Sequence, residues 1–248
     1  MKIVLLCAIG VGGATMLGAL IGYIFRSVSH RASDAILSFA AGVSFGAAVL
    51  GLILPSLEYG GKFGILITVV GVFTGAMCVN LLDRAVPYAK KLLCIDCLES
   101  GGREDRILVF VMAMAIHNLP EGIAAGVGFG AGDVGAGIFI ALGIAIQNIP
   151  EGMVIIVPMI SAGVSPGRTL ICALATGLVE VVGTFIGYFA VTMAQAILPF
   201  SLAFAGGTML YVVSDDMIPE THADGNSCSS TYFLLFGFCL MLFFSIVL

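Results

Sequence analysis

Eight stretches of mainly apolar residues, each close to the roughly 20 that an α-helix needs to cross a bilayer, constrain this chain more than any other feature. They run approximately from Val4 to Phe25, Ala35 to Leu57, Phe63 to Leu82, Ile107 to Phe129, Val134 to Ile160, Thr169 to Ala190, Leu198 to Ile218 and Thr231 to Leu248. In lipid a backbone must satisfy its own polar groups, and a helix does this within one segment. The expected fold class is therefore all-α: a polytopic membrane protein of eight transmembrane helices, one domain over residues 1–248. The connections are short except residues 83–106, a polar loop carrying Lys90, Lys91, Arg103 and Arg106. Only 10% of the residues are charged, against about 25% in soluble domains, too few to coat a water-facing surface.

The basic residues orient the spans. With both termini outside, Arg26, Arg31, Arg84, Lys90, Lys91, Arg103, Arg106 and Arg168 all fall on the cytoplasmic side, and only Lys2 and Lys62 do not. That bias satisfies the positive-inside rule and implies a multi-pass protein of the cell membrane. The same residues form no dense cluster, so the expected partners are the lipid bilayer and not nucleic acid. No cleavable signal peptide is evident, and the first span is expected to act as its own insertion signal. The seven cysteines are odd in number and mostly lie in apolar runs, which argues against a disulfide framework. Cys94 and Cys97 form a lone CxxC that reads as ordinary reduced thiols.

Four ionisable side chains sit where lipid disfavours them: His117 and Glu121 in the fourth span, Glu151 in the fifth and Glu180 in the sixth. Three isolated, charged glutamates would cost roughly 8–10 kcal/mol, so protons or a cation must compensate them. The pattern favours a cation. His117-Asn118-Leu119-Pro120-Glu121-Gly122 and Gln147-Asn148-Ile149-Pro150-Glu151-Gly152 are two copies of polar-Asn-apolar-Pro-Glu-Gly on consecutive, oppositely directed spans. Paired interrupted helices near mid-membrane are the usual pointer to a carrier's binding site, and they give the fold an inverted-repeat character. Positions 117 and 121, like 147 and 151, are i,i+4 and share a helical face. Pro120 and Pro150 release the carbonyls of Ile116 and Ile146, which predicts a bend in each helix. Gly122 and Gly152 are expected to let the two helices approach each other, and Gly122 with Gly126 forms a GxxxG. One imidazole among carboxylate and amide oxygens suits Zn²⁺, Fe²⁺ and similar ions, whereas oxygens alone would suit Mg²⁺ or Ca²⁺. The ligand count leaves room for two adjacent ions sharing Glu121 and Glu151.

The HNLPEG and QNIPEG pair resembles the signature of the ZIP (Zrt/Irt-like) divalent-metal transporters, particularly bacterial members with short loops, and the resemblance covers nearly the whole chain. It implies a two-metal intramembrane site, with His117, Gln147, Glu121 and Glu151 around one ion. Asn118, Asn148, Glu180 and the shared glutamates would surround the other. It also implies import towards the cytoplasm by an elevator-like motion, with zinc the first expectation and iron, manganese or cadmium as alternatives. The metal would be substrate, no cofactor is expected, and a homodimer is a family expectation. The end of the seventh span, with Asp215, Asp216, Glu220 and His222, resembles the family's exit region. Ser44 stands in the second span where some bacterial relatives place a Met or another ligand.

Other functions fit parts of the sequence less well. Gly42-x-Ser44-x-Gly46 has the form of an intramembrane serine-protease motif, with a Ser44–His117 dyad as its machinery. It leaves the three glutamates and the duplicated motif unexplained. A cation/calcium antiporter also repeats a Pro-Glu motif, but in separate halves of the chain and without an imidazole. Gly130-Ala131-Gly132-Asp133 imitates an aspartyl-protease motif, yet falls in a short turn. No nucleotide-binding loop is present.

Overall fold

The computed structural model describes residues 1–25, 29–92, 104–161, 164–223 and 227–248. Among them the chain is helical, with no strand. The long helices are α1 (Lys2–Ile24), α2 (His30–Tyr59), α3 (Gly64–Leu92), α4 (Glu104–Gly130), α5 (Val134–Ser161), α6 (Pro166–Met193), α7 (Gln195–His222) and α8 (Ser227–Val247). Seven of them are long and apolar enough to cross a membrane on the described residues alone.

Helices outrun the apolar stretches that foretold them. An apolar run measures hydrocarbon thickness, whereas i→i−4 hydrogen bonding continues for as long as the backbone allows. α3 therefore extends to Leu92 and α4 starts at Glu104. Asp83 and Arg84, expected in a loop, lie on α3, and the connection shrinks to 93–103. Cys94, Cys97 and Arg103 fall in that connection, outside the described residues.

Proline acts differently in two pairs of helices. α4 and α5 stay helical through Pro120 and Pro150, so neither is interrupted there. In α2 and α7 the proline is preceded by a wide π-helical stretch, Ala47–Ile53 before Pro55 and Val213–Met217 before Pro219. Lacking an N–H, proline cannot bond the carbonyl four residues back. The widened turn absorbs that mismatch, and such turns recur at functional sites.

The helices pair in an inverted repeat. α1 packs on α5 as α6 packs on α4, and α2 packs on α8 as α7 packs on α3. The register is constant. Gly12, Gly18 and Gly22 of α1 correspond to Gly177, Gly183 and Gly187 of α6, and Thr15 to Glu180, all 165 residues apart. Gly12 and Gly177 touch each other's backbones, so the pseudo-twofold axis passes between α1 and α6. α1, α4, α5 and α6 form one bundle and α2, α3, α7 and α8 a second, joined chiefly by α2 on α5 and α7 on α4. Buried Val11, Leu52, Ala124, Ile144 and Met209 form the apolar core between them. Ile65 and Phe73 of α3 and Phe236 and Phe243 of α8 are exposed, the surface of a lipid-facing helix.

Candidate metal centre

The duplicated motif sits where α4 and α5 meet α1 and α6. Gly122 of α4 lies against the backbone of Glu180 on α6, and Gly152 of α5 against the backbone of Thr15 on α1. These glycines therefore serve α4–α6 and α5–α1 packing, not the expected approach of α4 to α5. Gly126 continues the α6 contact at Thr184. The close packing brings Glu180 and Thr15 within side-chain reach of both motif asparagines.

Glu180 is fully buried (0% exposed) and carries three donors. Its Oε1 accepts from the Thr15 hydroxyl at 2.7 Å and from Asn118 Nδ2 at 2.5 Å; its Oε2 accepts from Asn148 Nδ2 at 2.5 Å. Asn148 Nδ2 also lies 3.2 Å from the Val11 carbonyl. Across the α4–α5 seam, Gln147 Nε2 donates to Glu121 Oε1 at 2.7 Å. Glu151 is buried too, and the charges of Glu121, Glu151 and Glu180 repel one another. Among the described residues no lysine or arginine forms an ion pair with any of the three.

Buried polar atoms nearly always find a partner, yet four here have none among the described residues: Asn118 Oδ1, Glu121 Oε2, Gln147 Oε1 and Asn148 Oδ1. All four are acceptor oxygens on the duplicated motif. Leaving one buried group unsatisfied costs about 1–3 kcal/mol. Four acceptors without a donor, beside repelling carboxylates, fit a cation. Among the described residues no three His, Cys, Asp or Glu side chains are grouped to hold an ion by themselves, so amide oxygens would have to complete the coordination.

His117 makes contacts beyond the motif. Its Nε2 lies 3.5 Å from Asp83 Oδ1 on α3 and 3.6 Å from Asp216 Oδ2 in the π stretch of α7. No hydrogen bond joins it to buried Ser44 among the described residues, so the Ser44–His117 dyad does not form. Of the residues expected at the exit, Asp216 meets His117, and Glu220 lies within electrostatic reach of Asp216 and Asp34. Asp215 accepts from the Tyr211 hydroxyl at 3.1 Å. His222 Nδ1 donates to the Ile218 carbonyl at 2.9 Å, and its Nε2 lies 3.4 Å from the Thr231 hydroxyl, which ties it to the helix ends. Asp133 accepts from the backbone N–H of Gly135 and Ala136 at 2.8 and 3.2 Å, a turn and helix cap as its position implied.

Sequence reasoning missed Thr15, Asp83 and Asp34. Thr15 had a signal: the glycine spacing 12, 18, 22 recurs as 177, 183, 187, which aligns Thr15 with Glu180. Asp83 follows the last residue of an apolar run and read as loop.

Comparison with known proteins agrees with this geometry. The family described as ZIP Zinc transporter matches residues 96–245. The chain is 36% identical to the zinc transporter ZIPB of Bordetella bronchiseptica over 236 residues, covering 93% of this chain and 76% of that protein. It is 46% identical over 142 residues to the zinc transporter GufA of Myxococcus xanthus, covering 57% of this chain and 56% of the relative. With the human zinc transporter ZIP11 it shares 42% over 148 residues, 57% of this chain and 43% of the relative. The matched region thus spans about half the length of GufA and ZIP11. A duplicated Pro-Glu motif on antiparallel helices and a match along nearly the whole chain give one result: the protein belongs to the ZIP family.

Proposed function

We propose that this protein carries divalent transition-metal ions, zinc foremost, across the cell membrane towards the cytoplasm. One observation carries the reading: four buried acceptor oxygens of the α4–α5 motif lack donors among the described residues, beside three repelling carboxylates. Glu121, Glu151, Gln147, Asn118 and Asn148 would hold the ion, with the His117 imidazole, one helical turn from Glu121, completing the set. Mixed oxygen and imidazole chemistry suits Zn²⁺, Fe²⁺ and Mn²⁺ and avoids the thiolate cage that would hold zinc too tightly to release it. His117, one helical turn from Glu121, would take the ion on to Asp83 and Asp216, with Asp215, Glu220 and His222 beyond. Two bundles meeting along a limited seam are what a sliding carrier needs. Beside that seam an apolar cleft of about 670 Å³ separates Phe39 of α2 and Phe236 of α8 from Pro150 of α5.

The test is flux into vesicles holding the purified chain and a metal-sensitive dye. Zinc entry lost in Glu121→Ala and Glu151→Ala and retained in Ser44→Ala supports the carrier. Full flux in both glutamate variants would refute it.

A further inference from the structure

Holding and moving an ion leaves the apolar cleft between α2, α8 and α5 without a role. We propose that this cleft holds one acyl chain of an anionic phospholipid, whose headgroup lies at Arg31. The inference goes beyond the carrier reading and does not depend on it.

The cleft measures about 670 Å³, and among the described residues its walls are alanine, isoleucine, phenylalanine and proline alone, with Ala32, Phe39, Ile146, Pro150, Phe233 and Phe236 among them. Sites for drug-sized molecules cover about 300–1,000 Å³ and set a few polar groups among apolar walls to orient the ligand. Here the described walls supply none, so the occupant is hydrocarbon. Hydrocarbon is also what surrounds it. The three helices that build the walls are membrane spans, and Phe233 and Phe236 at its edge are 43% and 62% exposed. Water in such a cleft would find no hydrogen-bond partner, and an unfilled gap would forfeit dispersion contacts along every wall.

The extent of the cleft picks out one leaflet. Phe39 and Phe236, with ring centroids 5.7 Å apart, each stand nine residues beyond the first residue of their helix, His30 and Ser227. Nine residues rise about 14 Å, close to half of the roughly 30 Å hydrocarbon core. At the helix start, exposed Arg31 directly precedes Ala32 of the wall. A basic residue at the bilayer surface attracts anionic headgroups. By the positive-inside expectation this is the cytoplasmic leaflet. Positive charge at the mouth and hydrocarbon walls within match the two ends of one phospholipid. The walls also come from both bundles, α2 and α8 from one and α5 from the other. Sliding of one bundle on the other would reshape the cleft, so a bound chain favours the arrangement described here.

The chain contains no tryptophan, so a single one introduced at the cleft reports on it alone. The full chain carrying Phe236→Trp is placed in phosphatidylcholine vesicles. These contain a minor fraction of phosphatidylglycerol or, separately, phosphatidylcholine with bromine on the acyl chain, and quenching of the fluorescence is measured. The anionic label should be preferred about fivefold, the attraction of one basic residue for such a headgroup. Phe73→Trp, on the exposed surface of α3, should show no preference. Adding Arg31→Gln to Phe236→Trp should abolish the preference, as should Ala35→Phe, which fills the cleft. Equal quenching by both labels at Phe236→Trp would show ordinary boundary lipid and overturn the proposal. So would a preference that survives Arg31→Gln, or no quenching by either label, the mark of a second copy of the chain covering the cleft. If Ala35→Phe does not fold, Arg31→Gln decides, because that change is on the surface.

Discussion

Gly122→Ala tests whether the metal centre depends on how closely α4 lies against α6. A Cβ at this position would overlap the Glu180 carbonyl oxygen and crowd its Cα. Both obstacles are backbone, so no rotamer change relieves them. α4 must retreat by about 1 Å to restore van der Waals contact. The Asn118 Nδ2–Glu180 Oε1 bond, 2.5 Å in the native packing, would lengthen to about 3.5 Å, outside hydrogen-bonding range. Overpacking of this kind costs about 1–3 kcal/mol, and loss of an orienting bond lowers metal affinity about 10–100-fold. Thermal unfolding in detergent and zinc dialysis on one preparation read both quantities. Gly10→Ala is the control, because nothing lies within 4 Å of a Cβ there. In that helix alanine should be neutral or stabilise by up to about 1 kcal/mol. If Gly122→Ala binds zinc like the wild type, or Gly10→Ala is equally damaging, close helix approach is not what builds the site.

Further expectations concern other parts of the same machinery. Gln147→Leu removes the donor to Glu121 Oε1 and one proposed ligand oxygen; stability should fall by about 1–3 kcal/mol, with weaker zinc binding, read by denaturation and dialysis. Asp83→Asn and Asp216→Asn, beside His117 and outside the duplicated motif, should slow zinc flux in vesicles while leaving zinc affinity nearer to wild type than Glu121→Ala does. Protons compete with metal for carboxylates and imidazole, so affinity should fall steadily from about pH 7.5 to about pH 5. A flat profile in dialysis would contradict the ligand set.

The sequence made the repeated motif plain because it states the same six-residue pattern twice, on spans whose direction follows from counting. Glu121 and Gln147 of the two copies are brought together, and the two asparagines meet Glu180, a residue outside the repeat. Other features were hidden for definite reasons. The π stretches of α2 and α7 are a register change in the backbone, with no residue type of their own beyond the proline that follows. Asp83 lay beyond an apolar run and read as loop, although helix formation does not end where lipid does. Gly122 and Gly152 suggested close packing correctly but not against which helix. α1 and α6 share little besides glycine spacing, so nothing local distinguished Thr15 from any small polar residue in a packed span.

The repeat also bears on direction, through the places where its halves differ. Gly207 and Gly42 meet the backbones of Val72 and Leu234, and Gly75 and Gly237 meet those of Phe204 and Phe39. Position 207 minus 42 is 165, as is 204 minus 39; 234 minus 72 is 162, as is 237 minus 75. By these offsets the counterpart of Asp83 is Ser245, and the counterpart of Asp216 falls at Gly51 or, counting from the prolines 55 and 219, at Leu52. His117, equivalent to Gln147, thus faces two carboxylates, while the corresponding region on the Gln147 side carries a serine and the buried apolar pair Leu52 and Ile144. A cation leaving a symmetric centre would have no preferred exit. With acids on one side and hydrocarbon on the other, the proposed carrier would release its ion past His117. By the positive-inside expectation for the basic residues, that side would be the cytoplasmic one. If Asp83→Asn together with Asp216→Asn left zinc flux unchanged in vesicles while Glu121→Ala abolished it, the acidic side would not be the exit.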